Sequence, residues 1–488
     1  MKENNNKTLQ RQLSPIHVWA LAFGCIIGWG SFVNPGKKFL PNSGVAGTAI
    51  AMALGAIVMI IIACSYAYMI PKYPKAGGEF TFTKECFGKR MAFVCGWFLI
   101  AAYLTNVPMN STAIGLIVDG LDGSADILKF GFHYTVAGFE IYFGEMVFAS
   151  LILLLFGLLN IFGVKKAGII QTVLSGLLVS SVFVLAVSAL VSGKAQGINM
   201  KPIWGFDKEA AMLAGATTEN ISEFAKGGTG GIISAILATF AIAPWAYVGF
   251  DAIPQAAEEF KFSHKKVIGI MVVAILFGCF VYTTNNTVAA AALQNWPERV
   301  MAGEWVLLVA AEQILGVFGK ILIGTAVSCA VLSGIMGFYL ASSRLMYSMA
   351  KDGYLPHVFG KIDSKYGTPK NSIIFCMIIS LSGPILGREA LGWFVDMSAI
   401  GASMGFFFTS ASAVKKMRDD QDGNAGLKAA AVAGVAFSAL FMLLQLVPIP
   451  GLNGVHFGKE SYFMLLVWIA IGLSFYFTKR NKIAKELE

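Results

Sequence analysis

Gly24-Cys25-Ile26-Ile27-Gly28-Trp29-Gly30-Ser31-Phe32, in the first long apolar stretch, and Phe240-Ala241-Ile242-Ala243-Pro244-Trp245-Ala246-Tyr247-Val248-Gly249-Phe250-Asp251, in the sixth, decide the fold. Each sets glycine, or glycine with proline, in the middle of a run otherwise fit to cross a bilayer. An interruption there frees backbone donors and acceptors that lipid cannot satisfy, so it persists only where protein, water or a ligand partners them. A packing face of small residues or a simple kink explains either segment alone. Together they lie five spans apart, and an odd-numbered unit repeated in tandem returns upside down. Paired broken helices at matching positions of two inverted repeats point to the central site of a transporter.

Outward from these segments, apolar runs recur near 16–39, 45–70, 91–118, 144–163, 168–192, 230–257, 266–293, 315–350, 370–387, 391–415, 426–448 and 461–479. The reading is an all-α integral membrane protein of about twelve transmembrane helices. A cytoplasmic tail (1–15) precedes a ten-helix core over 16–415, with repeat one at 16–192 and repeat two at 230–415; two further helices over 426–479 precede a second cytoplasmic tail (480–488). The composition agrees: 488 residues, 56% hydrophobic and 13% charged, with a mean hydropathy of +0.68, leave lipid as the main solvent. The longer polar connections, 119–143 and 194–229, are expected to hold partial helix and no separate domain.

The net charge of +9 does not indicate nucleic acid, because most of the 37 Lys and Arg fall on the side holding both termini, in clusters at 72–90, 165–166, 261–266, 351–370, 415–418 and 479–485. That is the cytoplasmic side by the positive-inside rule. No removable signal peptide is expected. The seven cysteines suggest no disulfide framework, and the five histidines, His17, His133, His264, His357 and His456, are too scattered for a metal site. No catalytic residue, metal or cofactor is expected; the partners are a small-molecule substrate and the lipid bilayer, with no obligate protein partner evident. Asn220-Ile221-Ser222 matches a glycosylation sequon by chance composition.

Half-helix starts carry partial positive charge and suit a carboxylate; half-helix ends suit an ammonium group. The amides of Gly28, Trp29, Gly30 and Ser31 are therefore candidates for a substrate carboxylate, and the carbonyls of Ile26, Ile27 and Ala243 for its amine. Trp29, Trp245, Tyr247 and Phe250, with Gly249 between the last two, are candidate pocket walls. Asp251 either caps the restarting half-helix or acts near the amine or in gating. Asn106 and Asn110, one turn apart, either line the pocket or bond between helices. Asp396 reads as a hydrated group near the outer end of span ten, and Glu258-Glu259 as a solvated face or a gate ion pair.

Four stretches resemble the amino acid-polyamine-organocation (APC) transporter superfamily: Gly28-Trp29-Gly30-Ser31-Phe32; Tyr66 with Pro71-Lys72-Tyr73-Pro74-Lys75-Ala76-Gly77-Gly78-Glu79-Phe80; Val248-Gly249-Phe250-Asp251-Ala252 with Ala257-Glu258-Glu259; and Ser343-Arg344-Leu345-Met346-Tyr347 through Asp352-Gly353-Tyr354-Leu355-Pro356, with Gly367-Thr368-Pro369 beyond. The resemblance implies an amino acid permease with a LeuT-type fold, ten core helices plus two, in the bacterial inner membrane. Where such proteins continue the Glu-Glu pair with Asn-Pro and a basic residue, this chain has Phe260-Lys261-Phe262-Ser263-His264.

Family members thought to be proton-coupled often resemble one another in a span-five lysine, and this chain has none between 168 and 192. Gly24, Ile27 and Ser333 offer oxygens for a sodium ion instead. Proton, sodium and ion-free exchange remain open. A polyamine carrier needs several buried carboxylates, a membrane enzyme a nucleophile with its base, a channel uniform pore periodicity, and a sensor a large output domain. Amino acid transport is the reading preferred over all four. Trp29 between two glycines suggests a restricted pocket, for small or medium neutral side chains.

Overall fold

The computed structural model describes residues 9–122, 126–136, 139–206, 208–215, 231–387, 390–449 and 456–485. The sequon at Asn220 lies outside them. The first helix, α1 (Pro15–Ile26), has Pro15 at its first position, where a missing N–H costs nothing. It stops at Ile27, whose φ −97°, ψ 102° is extended. A short α2 (Gly30–Asn34) resumes and passes through one wide turn at Pro35–Phe39 into α3 (Leu40–Lys72). Gly44 bends α3 with φ 63°, ψ −163°, and Gly88 bends α4 (Gly78–Asp122) in the same way.

Where partial helix was expected over 119–143, α4 runs on only to Asp122 and the described remainder forms a hairpin, β1 (His133–Val136) antiparallel to β2 (Phe139–Tyr142), with His133 opposite Tyr142. Its Tyr, Thr, Val, Phe and Ile content favours a pleated surface over a helix. The chain is thus mostly helical rather than all-α.

The helices continue as α5 (Phe143–Ile161), α6 (Val164–Val191), α7 (Lys208–Leu213), α8 (Gly231–Phe240), α9 (Ala243–Ala246), α10 (Val267–Ala291), α11 (Trp296–Met301), α12 (Val306–Leu315), α13 (Val317–Lys351), α14 (Lys370–Ser380), α15 (Ser382–Leu386), α16 (Ala390–Asp419), α17 (Ala425–Leu446) and α18 (Lys459–Lys485). Among the described residues, 9 helical stretches are long and apolar enough to cross a membrane. Shorter apolar pieces are α1, α8, α12 and the stretch Lys370–Leu386. The sequence assigns no span to α12; its 10 residues reach only about 15 Å, half a bilayer core.

Polarity is inverted relative to a soluble protein. Asn106, Asn110, Asn160, Gln171, Asn285 and Asn286 are buried, while Leu155, Leu190, Leu466 and Phe463 are exposed. Such an exterior is stable only against lipid. α4, α13 and α16 form the interior, α4 packing on both of the others; α18, with 11% of its apolar window buried, is peripheral.

At one end, Lys72 bridges Asp420 (2.6 Å) and Asp422 (2.8 Å), and Lys84 bridges Asp352 (2.7 Å). Hydrogen bonds from Lys416 and Lys72 hold the Asp420 carboxyl below its ordinary range, so this clasp holds above that range and loosens as pH falls toward it. A strap before α1 joins the same end: Gln12 and Leu13 donate to the Glu259 carbonyl, and Lys261 donates back to Leu13. At the other end, Ala46 donates to Ile203 and Phe206 to Pro41, with Phe206 stacked on Trp296 at 5.4 Å.

Candidate functional site

The two interruptions expected from sequence are present and touch. The first leaves Ile27 to Trp29 outside regular helix. In the second, α8 ends at Phe240, α9 lasts one turn, and Gly249 turns the chain at φ 135°, ψ −36° before a 3-10 turn at Phe250–Ala252. A Cβ on Gly249 would lie 2.5 Å from Cys25 Cβ and 2.6 Å from the Ile26 nitrogen. Backbone meets backbone, and only glycine permits it.

Among the described residues, the amides of Gly28, Trp29 and Gly30 donate to no backbone carbonyl, whereas Ser31 N–H already donates to Gly28 O at 3.3 Å. The Ser31 hydroxyl donates to the same carbonyl at 3.0 Å. Ile26 O accepts from Tyr282 at 3.4 Å, and Ala243 O from the Tyr247 amide at 3.0 Å. Three donors thus stand ready at the first break, and the carbonyls nominated for the amine are partly engaged.

The aromatic candidates divide. Trp29 and Trp245 face each other with centroids 6.2 Å apart, and Gly30 makes room for the Trp245 ring, which a Cβ would meet at 2.3 Å. Trp29 Nε1 is buried without a partner among the described residues. Tyr247, by contrast, donates to Met52 O at 2.8 Å, and Phe250 packs between Tyr66 and Phe406; both brace neighbouring helices. Asn110 Oδ1 has no partner among the described residues and lies 3.2 Å from where a Gly28 Cβ would stand. Asn106 instead bonds across to Ser398 on α16 at 2.6 Å. Asp251 Oδ1 accepts the Gly249 amide at 2.6 Å, tying it to the break itself rather than to the turn that follows. Asp396 is half-buried and accepts from Ser461 on α18 at 2.6 Å.

A family described as Amino acid permease matches residues 13–473, from the strap before α1 to the middle of α18. The chain belongs to that family. It is 26% identical to a branched-chain amino acid permease of Bacillus subtilis over 99% of this chain and 96% of the relative. A methylthioribose transporter of Bacillus subtilis shares 24% over 98% and 95%. The human large neutral amino acids transporter small subunit 2 shares 26% over 76% of this chain and 64% of its own length.

In this permease two of the three oxygens nominated for an ion already meet each other: Ser333 Oγ lies 3.1 Å from Gly24 O, and 2.9 Å from Ala330 O. Gln171 Nε2 donates beside them, to Ala20 O at 3.2 Å and Ser333 O at 3.1 Å. A Cβ on Gly24 would meet that amide at 2.3 Å. A side chain of α6 thus occupies the space between α1 and α13.

Glu258-Glu259 reads from sequence as a solvated face or a gate ion pair, and Glu259 is in an ion pair: it is 1% exposed and bonds Arg344, 0% exposed, at 2.8 Å. Sequence reasoning missed another buried acid. Glu79, quoted only as part of a motif, is fully buried and accepts from Tyr66 at 2.9 Å, Tyr103 at 3.3 Å and Gln255 at 2.5 Å. The sequence around Glu79, with Lys72, Lys75, Lys84 and Glu85 nearby, reads as a charged loop and gives no sign of its burial.

Proposed function

We propose that the chain is a secondary transporter that carries neutral amino acids across a bacterial inner membrane by alternating access. The reading includes a LeuT-type core of two inverted repeats (16–192 and 230–415), two added helices (426–479), about twelve crossings, and both termini in the cytoplasm. The observation that carries it is the set of three amides, Gly28, Trp29 and Gly30, with no backbone acceptor among the described residues, at a helix break that packs against a second break. Those amides take the substrate carboxylate. The carbonyls of Ile26, Ile27 and Ala243 take the amine, aided by Asn110 Oδ1, and Trp29 with Trp245 bounds the side chain.

The branched-chain relative supports a medium-sized apolar side chain. A solute other than an amino acid is the second reading, which the methylthioribose relative favours. Protein reconstituted in liposomes and offered all twenty amino acids, polyamines and methylthioribose separates the two. One class of neutral amino acid entering, and exchanging with internal substrate, is the expected result; uptake of methylthioribose or a polyamine alone sinks it. In the same assay Trp29→Gly is expected to raise competition by tryptophan and phenylalanine about tenfold, the range one pocket-size change allows. If tryptophan or arginine already competes best and the substitution alters nothing, Trp29 does not bound the pocket.

A further inference from the structure

Glu79 at the start of α4 and Asp251 after the second break are both 0% exposed. Among the described residues, no lysine, arginine or histidine pairs with either. They are joined instead by one hydroxyl: Tyr103 OH lies 3.3 Å from Glu79 Oε1, 3.1 Å from Asp251 Oδ2 and 3.0 Å from Asp251 O. A phenol has a single hydrogen and can donate to one carboxyl at a time. The chain of contacts closes if one carboxyl carries a proton and donates it to the phenol oxygen while Tyr103 donates to the other.

Gln255 belongs to the same cluster: its Nε2 donates to Glu79 Oε2 at 2.5 Å, and its buried Oε1 has no partner among the described residues. Two carboxylates within reach of one hydroxyl, buried without a cation, do not both keep their charge. The other titratable groups facing them are Tyr66 from α3, Cys95 from α4 and Cys25 from α1. None is cationic.

Resting on the transport reading above, we propose that Glu79, Tyr103 and Asp251 form a proton-binding site, and that one proton travels with each substrate. The O–H bond forms from water on the side where substrate enters and breaks to water on the side where it leaves, so only the proton moves. The link to substrate is direct: Asp251 Oδ1 holds the Gly249 amide, and Gly249 is the residue pressed on Cys25 and Ile26 at the first break. A change of charge at Asp251 is thereby felt at the amides proposed for the carboxylate.

The test uses the full chain in liposomes with a trapped pH dye, and as probe the amino acid that exchanges fastest in the panel of twenty. Wild-type vesicles with an acidic exterior are expected to take up the probe several-fold faster than at equal pH, with interior acidification that requires the probe. In Glu79→Gln the dye response disappears, and the ratio of gradient-driven uptake to exchange falls at least fivefold. Tyr103→Phe, which keeps both carboxyls, lowers the same ratio and shifts its pH midpoint. Wild-type exchange without any dye response overturns the proposal, as does a Glu79→Gln protein that still acidifies the interior. If Glu79→Gln does not exchange at all, the wild-type response and Tyr103→Phe decide. Absence of exchange with every amino acid overturns the transport reading and this one with it, an outcome distinct from exchange without proton movement.

Discussion

Gly249→Ala is expected to reduce substrate uptake about a hundredfold, the scale on which small misplacements at a binding centre act, while the protein still inserts in the membrane. Two effects converge. At φ 135° an added Cβ strains the backbone, at about 1–3 kcal/mol. The same Cβ would also stand 2.5 to 2.7 Å from the Cys25 Cβ, the Ile26 nitrogen and the Cys25 carbonyl carbon, atoms that no rotamer change can move. The two breaks are forced apart just where Gly28 and Trp29 present their amides. Gly269→Ala is the control, since a Cβ there meets nothing within 4 Å. Uptake within twofold of wild type in Gly249→Ala would show that contact between the breaks is not needed.

Arg344→Met is expected to destabilise the protein more than any surface change. Arg344 and Glu259 are both sealed from solvent and 2.8 Å apart; removing one partner leaves a buried charge, which costs about 3–5 kcal/mol. Glu259 also carries the carbonyl that receives the Gln12 and Leu13 amides, so the strap before α1 loosens with it. Thermal unfolding in detergent and thiol labelling of an introduced Leu13→Cys read the two effects. Arg344→Met combined with Glu259→Leu is expected to recover most of the lost stability, because neither charge is then left alone. A single variant as stable as wild type, with Leu13→Cys labelled no faster, means the pair does not hold this end shut.

The breaks were legible in sequence because glycine and proline act through the backbone: Gly28, Gly30, Pro244 and Gly249 restrict or free φ and ψ whatever packs around them. That the chain crosses a membrane repeatedly was legible because lipid imposes a length and an apolarity on any helix within it; among the described residues 9 stretches meet both. The hairpin at 133–142 was not, since its short alternation was hidden in a loop read by polarity alone. Tyr247 and Phe250 looked like pocket walls from their position beside Gly249, yet their rings turn to Met52, Tyr66 and Phe406. Position along a chain says which residues are near a break, and the tilt of the helices says which way they face.

Glu79, Gln171 and Arg344 show the same limit. Glu79 is 24 residues from Tyr103 and 176 from Gln255; Gln171 is 162 from Ser333; Arg344 is 85 from Glu259. No local pattern announces such pairs, because each exists only once separate helices are packed side by side. The sequence by itself determined that this chain lives in a membrane and where its first and sixth spans must break, since both follow from the cost of bare backbone in hydrocarbon. The tertiary structure alone decided which buried polar groups meet: Gln171 in the space proposed for an ion, Arg344 on Glu259, and two carboxyls on one tyrosine. Burial removes water as an alternative partner, so a polar side chain inside the bundle must take whatever the packing brings to it.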